Sequence, residues 1–272
     1  MRIVGLARGL FAVASASLAI WCLSFGHFAL QSLPTWIPWR ETWVYGSALV
    51  VLAASAGLCF SRTAVPGVLV IGVYHAVSGA IYVPEIIAKP LSIEGWYPFC
   101  ESLTSLVGAW VLYALLQPQS TESATAVAGQ VAMRAALVLF GLTCIFYGWS
   151  HFLYAAYTAS MVPMWLPSHL GIAYFTGAAH IAAGVAIAVA ILPGLAATLE
   201  ATMMSLFGLL VWVPSFFERP RPDWAGSPAN QWSELVATVM LAASAWIVAI
   251  YLGKRARGLR HVRRVGIRRP PA

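Results

Sequence analysis

"MRAALVLFGLTCIFYGWSHF", Met133–Phe152, is apolar along almost its whole length and then closes on His-Phe. At 1.5 Å per residue, about 20 helical residues span roughly 30 Å, the thickness of a bilayer's hydrocarbon core. The run does not alternate polar with apolar residues, as a barrel strand would. Similar runs fall at 5–26, 42–61, 65–84, 98–117, 132–153, 170–191, 194–214 and 232–252, separated by Gly, Pro, Trp and charged residues. The whole 272-residue chain is 60% apolar and only 9% charged, against about 25% charged in soluble domains. Its mean hydropathy is +0.79. Such a chain cannot cover a water-facing surface. The expected fold is an all-α polytopic membrane protein with eight transmembrane helices.

The closing His-Phe is written twice. His27-Phe28 precedes His151-Phe152 by 124 residues. Pro34-Thr35-Trp36-Ile37-Pro38 precedes Pro163-Met164-Trp165-Leu166-Pro167 by 129. Tyr82-Val83-Pro84 aligns with Trp212-Val213-Pro214 and Lys89-Pro90 with Arg219-Pro220, both at 130, and Glu101 aligns with Glu234 at 133. The offset drifts slowly and the order never breaks, so the sequence reads as two four-helix bundles. The expected organisation is a first transmembrane unit at 1–117, a cytoplasmic linker at 118–130, a second unit at 131–253 and a basic cytoplasmic tail at 254–272. The N-terminal stretch "MRIVGLARGLFAVASASLAIW" has the composition of a signal peptide. Its counterpart in the second unit lies far from any N-terminus, so it is expected to stay as a helix.

Units with an even number of helices enter the membrane from the same side. The repeat is therefore expected to be parallel, about an axis near the membrane normal. Inverted repeats are a common basis of alternating access, so a parallel repeat weighs against a transporter without excluding one, since parallel repeats also occur in transporters. Eight of the 16 basic residues lie in "GKRARGLRHVRRVGIRRPPA" at the C-terminus. Arg2, Arg8, Arg62 and Arg134 fall on the same side in an eight-helix count, and only Arg40, Lys89, Arg219 and Arg221 fall opposite. By the positive-inside rule both termini face the cytoplasm, in a plasma or inner membrane. The tail is read as a topology anchor against anionic lipid. It has no aromatic residue to support nucleic-acid binding, and none is expected.

With that orientation, the two Pro-x-Trp-x-Pro segments are interfacial elbows on the outer face. Proline stops the helix and Trp36 and Trp165 favour the headgroup layer. Glu101 and Glu234 join other acids at this rim.

Four features are similar to DoxX-like membrane proteins. They are the His-Phe ending a helix, the elbow "VPMWLP" at Val162–Pro167, the glycine-spaced "YFTGAAHIAAGVAI" at Tyr174–Ile187, and "NQWSELVATVMLA" at Asn230–Ala242. The resemblance covers the second half well and the first half loosely, through the repeat. That family is usually a single four-helix unit, so this chain departs from it in being doubled. It also carries His180 where many relatives have an acid. The resemblance implies a subunit of a membrane redox or quinone-linked assembly, such as the small subunits of a thiosulfate:quinone oxidoreductase, with a redox partner subunit. The other reading is a non-catalytic carrier or structural membrane protein that binds a small hydrophobic solute.

Candidate ligand-binding residues are His27, His151, His75, His180, Glu101, Glu234, Trp36 and Trp165. His27 and His151, at helix ends, are each expected to bond a group of their own half, such as the elbow backbone or an acid at the start of the last helix, Glu101 or Glu234. Tyr147 and Tyr154 share a face with His151. His75 and His180 fall near mid-membrane, where an ionisable residue is costly and turns inward. Thr176, Gly177 and Gly184 flank His180 with small groups that admit a neighbouring helix. Interhelical hydrogen bonds, axial ligation of a haem by the two histidines, and contact with a quinone or small acid are the open alternatives. Cys22, Cys59, Cys100 and Cys144 are scattered without metal or redox spacing, and no metal site is expected. No nucleotide, hydrolase or zinc-protease motif occurs, and no catalytic residue can be named.

Overall fold

The computed structural model describes residues 2–27, 33, 36–117 and 124–266. Phe28, Pro34, Thr35, the linker residues 118–123 and the last residues, 267–272, lie outside the described residues. The described chain is helical, with no strand. The first four helices are α1 (Arg2–Phe25), α2 (Arg40–Leu58), α3 (Ala64–Ala88) and α4 (Ile93–Leu116). Then come α5 (Ala124–Leu153), a short α6 (Ala155–Ser160), α7 (His169–Ala188) and α8 (Pro193–Phe207). A wider, π-type turn at Gly208–Trp212 leads from α8 into one further α turn, α9 (Val213–Ser215). The last helix is α10 (Pro228–Gly266). Eight of these segments are long and apolar enough to cross a bilayer, with α8 to α9 counting as one. The protein is an all-α polytopic membrane protein.

Several boundaries differ from the sequence expectation. α5 starts at Ala124, so the second part of the expected linker is helix. α10 runs on to Gly266, so the basic tail begins as a continuation of the last span. α3 passes through Pro84 to Ala88, and α4 begins five residues before Pro98. Proline marks a boundary in water, but neighbouring helices compensate for its missing N–H in a membrane bundle.

α4 and α10 form the centre. α4 packs against α1, α3, α5 and α10, while α10 packs against α1, α4 and α8. Their spans are the most buried, 56% and 67%. Outside this pair the neighbours run α1–α2–α3–α4 on one side and α5–α7–α8–α10 on the other. α1 contacts α10, and α5 contacts α4.

Two local features recur across the halves. Trp39 and Ser168, 129 residues apart, both have φ of 50° and immediately precede α2 and α7. Their carbonyls accept from Trp43 and Ile172, at 3.2 and 2.9 Å. Left-handed backbone at a non-glycine residue is uncommon, so its recurrence at one register reflects a turn that both elbows must make. An arginine of the first helix in each half also reaches the C-terminus of the second. Arg8 Nη2 donates to the Cys59 carbonyl at 3.4 Å, and Arg134 donates to the carbonyls of Ile187 and Ala188. Unpaired carbonyls at a helix end attract cationic donors.

α5 and α7 approach closely because glycines meet in antiparallel register. Gly141 faces Gly184 and Gly148 faces Gly177, each glycine against the other's carbonyl oxygen. With no Cβ on either side the backbones themselves form the contact, as at small-residue crossings in membranes. This contact fixes where His151 and His180 can lie.

Candidate functional site

A cavity of about 1350 Å³ lies among α4, α5, α6, α7, α8 and α10. It extends from the elbow at Met161–Leu166 to the α7–α8 turn at Ile191–Leu192. Four of the sequence candidates line it: His151, His180, Glu101 and Glu234. Glu101 comes from α4 in the first half of the chain, so both halves contribute to the cavity wall.

The glycine contact sets the first polar layer. A Cβ on Gly177 would sit 2.8 Å from His151 Cβ, so α7 passes directly beside this histidine. His151 Nδ1 is 3.0 Å from Thr176 Oγ1. The threonine hydroxyl has one hydrogen, directed at the carbonyl of Ile172 or Ala173, at 3.0 or 3.1 Å. Its oxygen therefore accepts from His151 Nδ1–H. In the neutral ring that leaves His151 Nε2 as an acceptor.

One turn along α7 lies His180. Its Nδ1 is 2.8 Å from Glu200 Oε1 on α8, and the two side chains are only 1% and 2% exposed. The second oxygen of Glu200 is buried with no hydrogen-bond partner. Cys144 of α5 lies beside the same carboxylate. The His151 and His180 rings meet edge to face with centroids 5.2 Å apart, and Phe207 contacts both, at 6.0 and 5.8 Å. Phe207 ends the regular part of α8, immediately before the π-type turn, whose residues Leu210–Trp212 also line the cavity. Such turns recur at functional sites because they redirect side chains within a helix.

Hydroxyl groups join the wall to the seam between the halves. Tyr97 on α4 bonds Ser150 on α5 at 2.7 Å, and Ser150 passes its own hydrogen to the Tyr147 carbonyl. Tyr147 OH, Thr104 and Thr143 form a chain at 3.1 and 2.9 Å that ends on the Phe140 carbonyl. Every hydrogen in that chain has an acceptor, so the seam holds the cavity wall rigid.

The other candidates lie elsewhere. Trp36 and Trp165 are 63% and 70% exposed, outside the cavity lining. His27 is exposed and makes no hydrogen bond among the described residues. The expected bond is found for His151 alone. His151 bonds Thr176 of α7, a group of its own half but neither elbow nor acid, while the elbow residues Pro34 and Thr35 nearest His27 lie outside the described residues. His75 is fully buried on α3, and neither ring nitrogen has a hydrogen-bond partner among the described residues, so no interhelical bond is found for it there. His75 lies on α3, which packs against α2 and α4, and His180 on α7, which packs against α5, α6 and α8. Among the described residues no three His, Cys, Asp or Glu side chains are grouped to hold a metal ion.

Glu200 is the residue that sequence reasoning missed. Its signal was present: a single acid in the apolar run 194–214, near mid-membrane, where an unpaired carboxylate is not tolerated. The chain matches no family model, no curated protein and no solved structure.

Proposed function

We propose that this protein is a doubled DoxX-type membrane subunit that binds a quinone in its second half. The supporting observation is the His180–Glu200 pair, buried at mid-membrane on the wall of a cavity far larger than packing defects. Single buried ionisable groups are costly, and a pair with no net charge is much less so. With no net charge the pair is either imidazolium and carboxylate or imidazole and carboxylic acid. In both cases Nδ1 is engaged by Glu200 and Nε2 carries a hydrogen. His180 then offers a donor, and neighbouring His151 offers an acceptor. A quinone carbonyl accepts from the first, and a quinol hydroxyl donates to the second. A bound quinone would supply two-electron redox chemistry. The electrons would come from or go to a partner subunit.

The doubled arrangement is supported by the recurring left-handed residues Trp39 and Ser168, by the Arg8 and Arg134 contacts, and by the matching order of neighbours around α4 and α10. The two halves are not equivalent as sites. In the first, Leu18, Trp21, Leu33, Val44 and Val236 form an apolar cluster of α1, α2 and α10 beneath the elbow. Among the described residues, the His–acid pair lies in the second half. We further propose that both termini face the cytoplasm, with the elbows outside. In a Cys59→Ser background, Gln117→Cys is expected to react only with reagents that enter the cytoplasm, and Asp223→Cys from outside. The reverse pattern overturns the orientation.

The site reading is tested by solvent extraction of protein purified in mild detergent. Wild type is expected to carry quinone in near-equimolar amount, and His180→Phe less than about a tenth of that, as for loss of at least 1.4 kcal/mol. Added quinone is expected to quench tryptophan fluorescence in wild type, because Trp212 lines the cavity. Absence of quinone in the extract together with no quenching overturns the reading, as does full retention by His180→Phe.

A further inference from the structure

We infer that the ligand is a single-chain amphiphile that enters sideways from the bilayer and lies along the α7–α8 crevice, head toward the elbow. The inference rests on the polar site described above but concerns a different part of the cavity, the apolar end that the histidines do not reach.

Polarity is segregated along the cavity. On the elbow side the wall carries Tyr97, Glu101, Tyr154, Tyr157 and Glu234, with His151, His180 and Glu200 at its lower edge. Beyond Glu200 the wall is Ala183, Ala186, Ile191, Leu192, Leu195 and Leu199. Eight residues of α8 separate Leu192 from Glu200, roughly 12 Å of helix. A compact polar ligand would leave that length empty. A hydrocarbon chain fills it without a polar partner, which a water-soluble acid could not do.

The same crevice opens on the lipid-facing surface. Phe175 of α7 and Leu195 and Leu199 of α8 line the cavity and yet are 72%, 56% and 59% exposed. A surface-exposed side chain that also lines a cavity marks its margin, here on the two helices that bound the crevice. These three are apolar, and the hydroxyl of Thr202, which also lines the cavity from an exposed position on α8, is turned onto its own helix at the Thr198 carbonyl, 2.8 Å away, so the adjoining medium is hydrocarbon. A chain-bearing ligand partitioned into the bilayer can then enter with its tail never crossing water.

Leu195→Trp tests this, because the added bulk occupies the slot from an exposed position that packing does not constrain. Reconstituted protein is titrated with a decyl-tailed benzoquinone and with its tail-less parent, affinities being referred to mole fraction in the bilayer. Leu195→Trp is expected to weaken the decyl compound about tenfold, equivalent to 1.4 kcal/mol, and to leave the tail-less parent unchanged. An unchanged decyl affinity overturns the inference, as does equal weakening of both compounds. Decyl alcohol separates this inference from the quinone reading. If neither quinone binds but decyl alcohol does, with the same loss on Leu195→Trp, the chain slot stands and the quinone assignment falls. If decyl alcohol and both quinones all fail to bind, the slot falls as well.

Discussion

Gly148→Val lowers the melting temperature of the detergent-purified protein by about 6–12 °C, the shift expected for roughly 3 kcal/mol in a chain of this size. The size of the effect comes from what the new side chain meets. A Cβ at 148 would press on the carbonyl oxygen of Gly177 and come within 2.9 Å of the Ile181 nitrogen. Both are backbone atoms of α7, so no rotamer change relieves the clash and the helices must separate. Gly148 precedes His151 by less than one turn, so separation also draws His151 Nδ1 from Thr176 Oγ1. Gly46→Ala is the control, because a Cβ there has nothing within 4 Å. It should leave stability unchanged or raise it by up to about 1 kcal/mol, the gain of alanine over glycine in a helix. Fluorescence-detected melting of both variants checks the pair of expectations. A Gly148→Val protein that melts with the wild type would mean that the α5–α7 contact does not govern the second half.

The spans were legible because a bilayer imposes a length and a composition that few other structures share. Finer features depended on neighbours, which a single sequence does not supply. His27 and His151 carry the same His-Phe phrase, yet one is exposed with no partner among the described residues and the other is held by Thr176. The difference lies across the interface, where Gly177 lets α7 close on His151. Gly177 and Gly184 were readable as a small-residue face, but their partners Gly141 and Gly148 become meaningful only once the antiparallel register is known. The short α6 was not legible, because the six residues Ala155–Ser160 are too few for a periodic signal. The π-type turn at Gly208–Trp212 has no sequence signature either, since it adds one residue to a turn inside an otherwise ordinary apolar run. Glu200 was legible on physical grounds, as the single acid well inside its apolar run, whereas Glu101 and Glu234 lie near the ends of theirs. Its partner His180 was read as inward-facing from its depth alone. Depth identifies a residue that needs a partner, but only the fold names it.

His180→Leu destabilises the protein strongly, and His180→Leu combined with Glu200→Leu restores most of what the single change loses. In the single variant Glu200 keeps its place at 2% exposure without its histidine, with only the weak thiol donor of Cys144 beside it. Leaving one member of a buried pair costs about 3–5 kcal/mol, whereas replacing both by apolar residues of similar size is often neutral or stabilising. The single variant is expected to melt at least about 6 °C below wild type, and the double within about 2–4 °C, or 1 kcal/mol, of it. Bound quinone should be lost from both. That combination, recovered stability without recovered binding, separates a pair retained for its ligand from one retained for the fold. A purely structural pair would behave otherwise: the double variant would stay as unstable as the single, because the polar contact itself would be what joins α7 to α8. The pair sits where α7 meets α8 beside the cavity, so that junction is where the two accounts differ most. Two leucines at 180 and 200 would close that junction with hydrocarbon, stabilising the bundle while removing the donor that the cavity holds for a ligand.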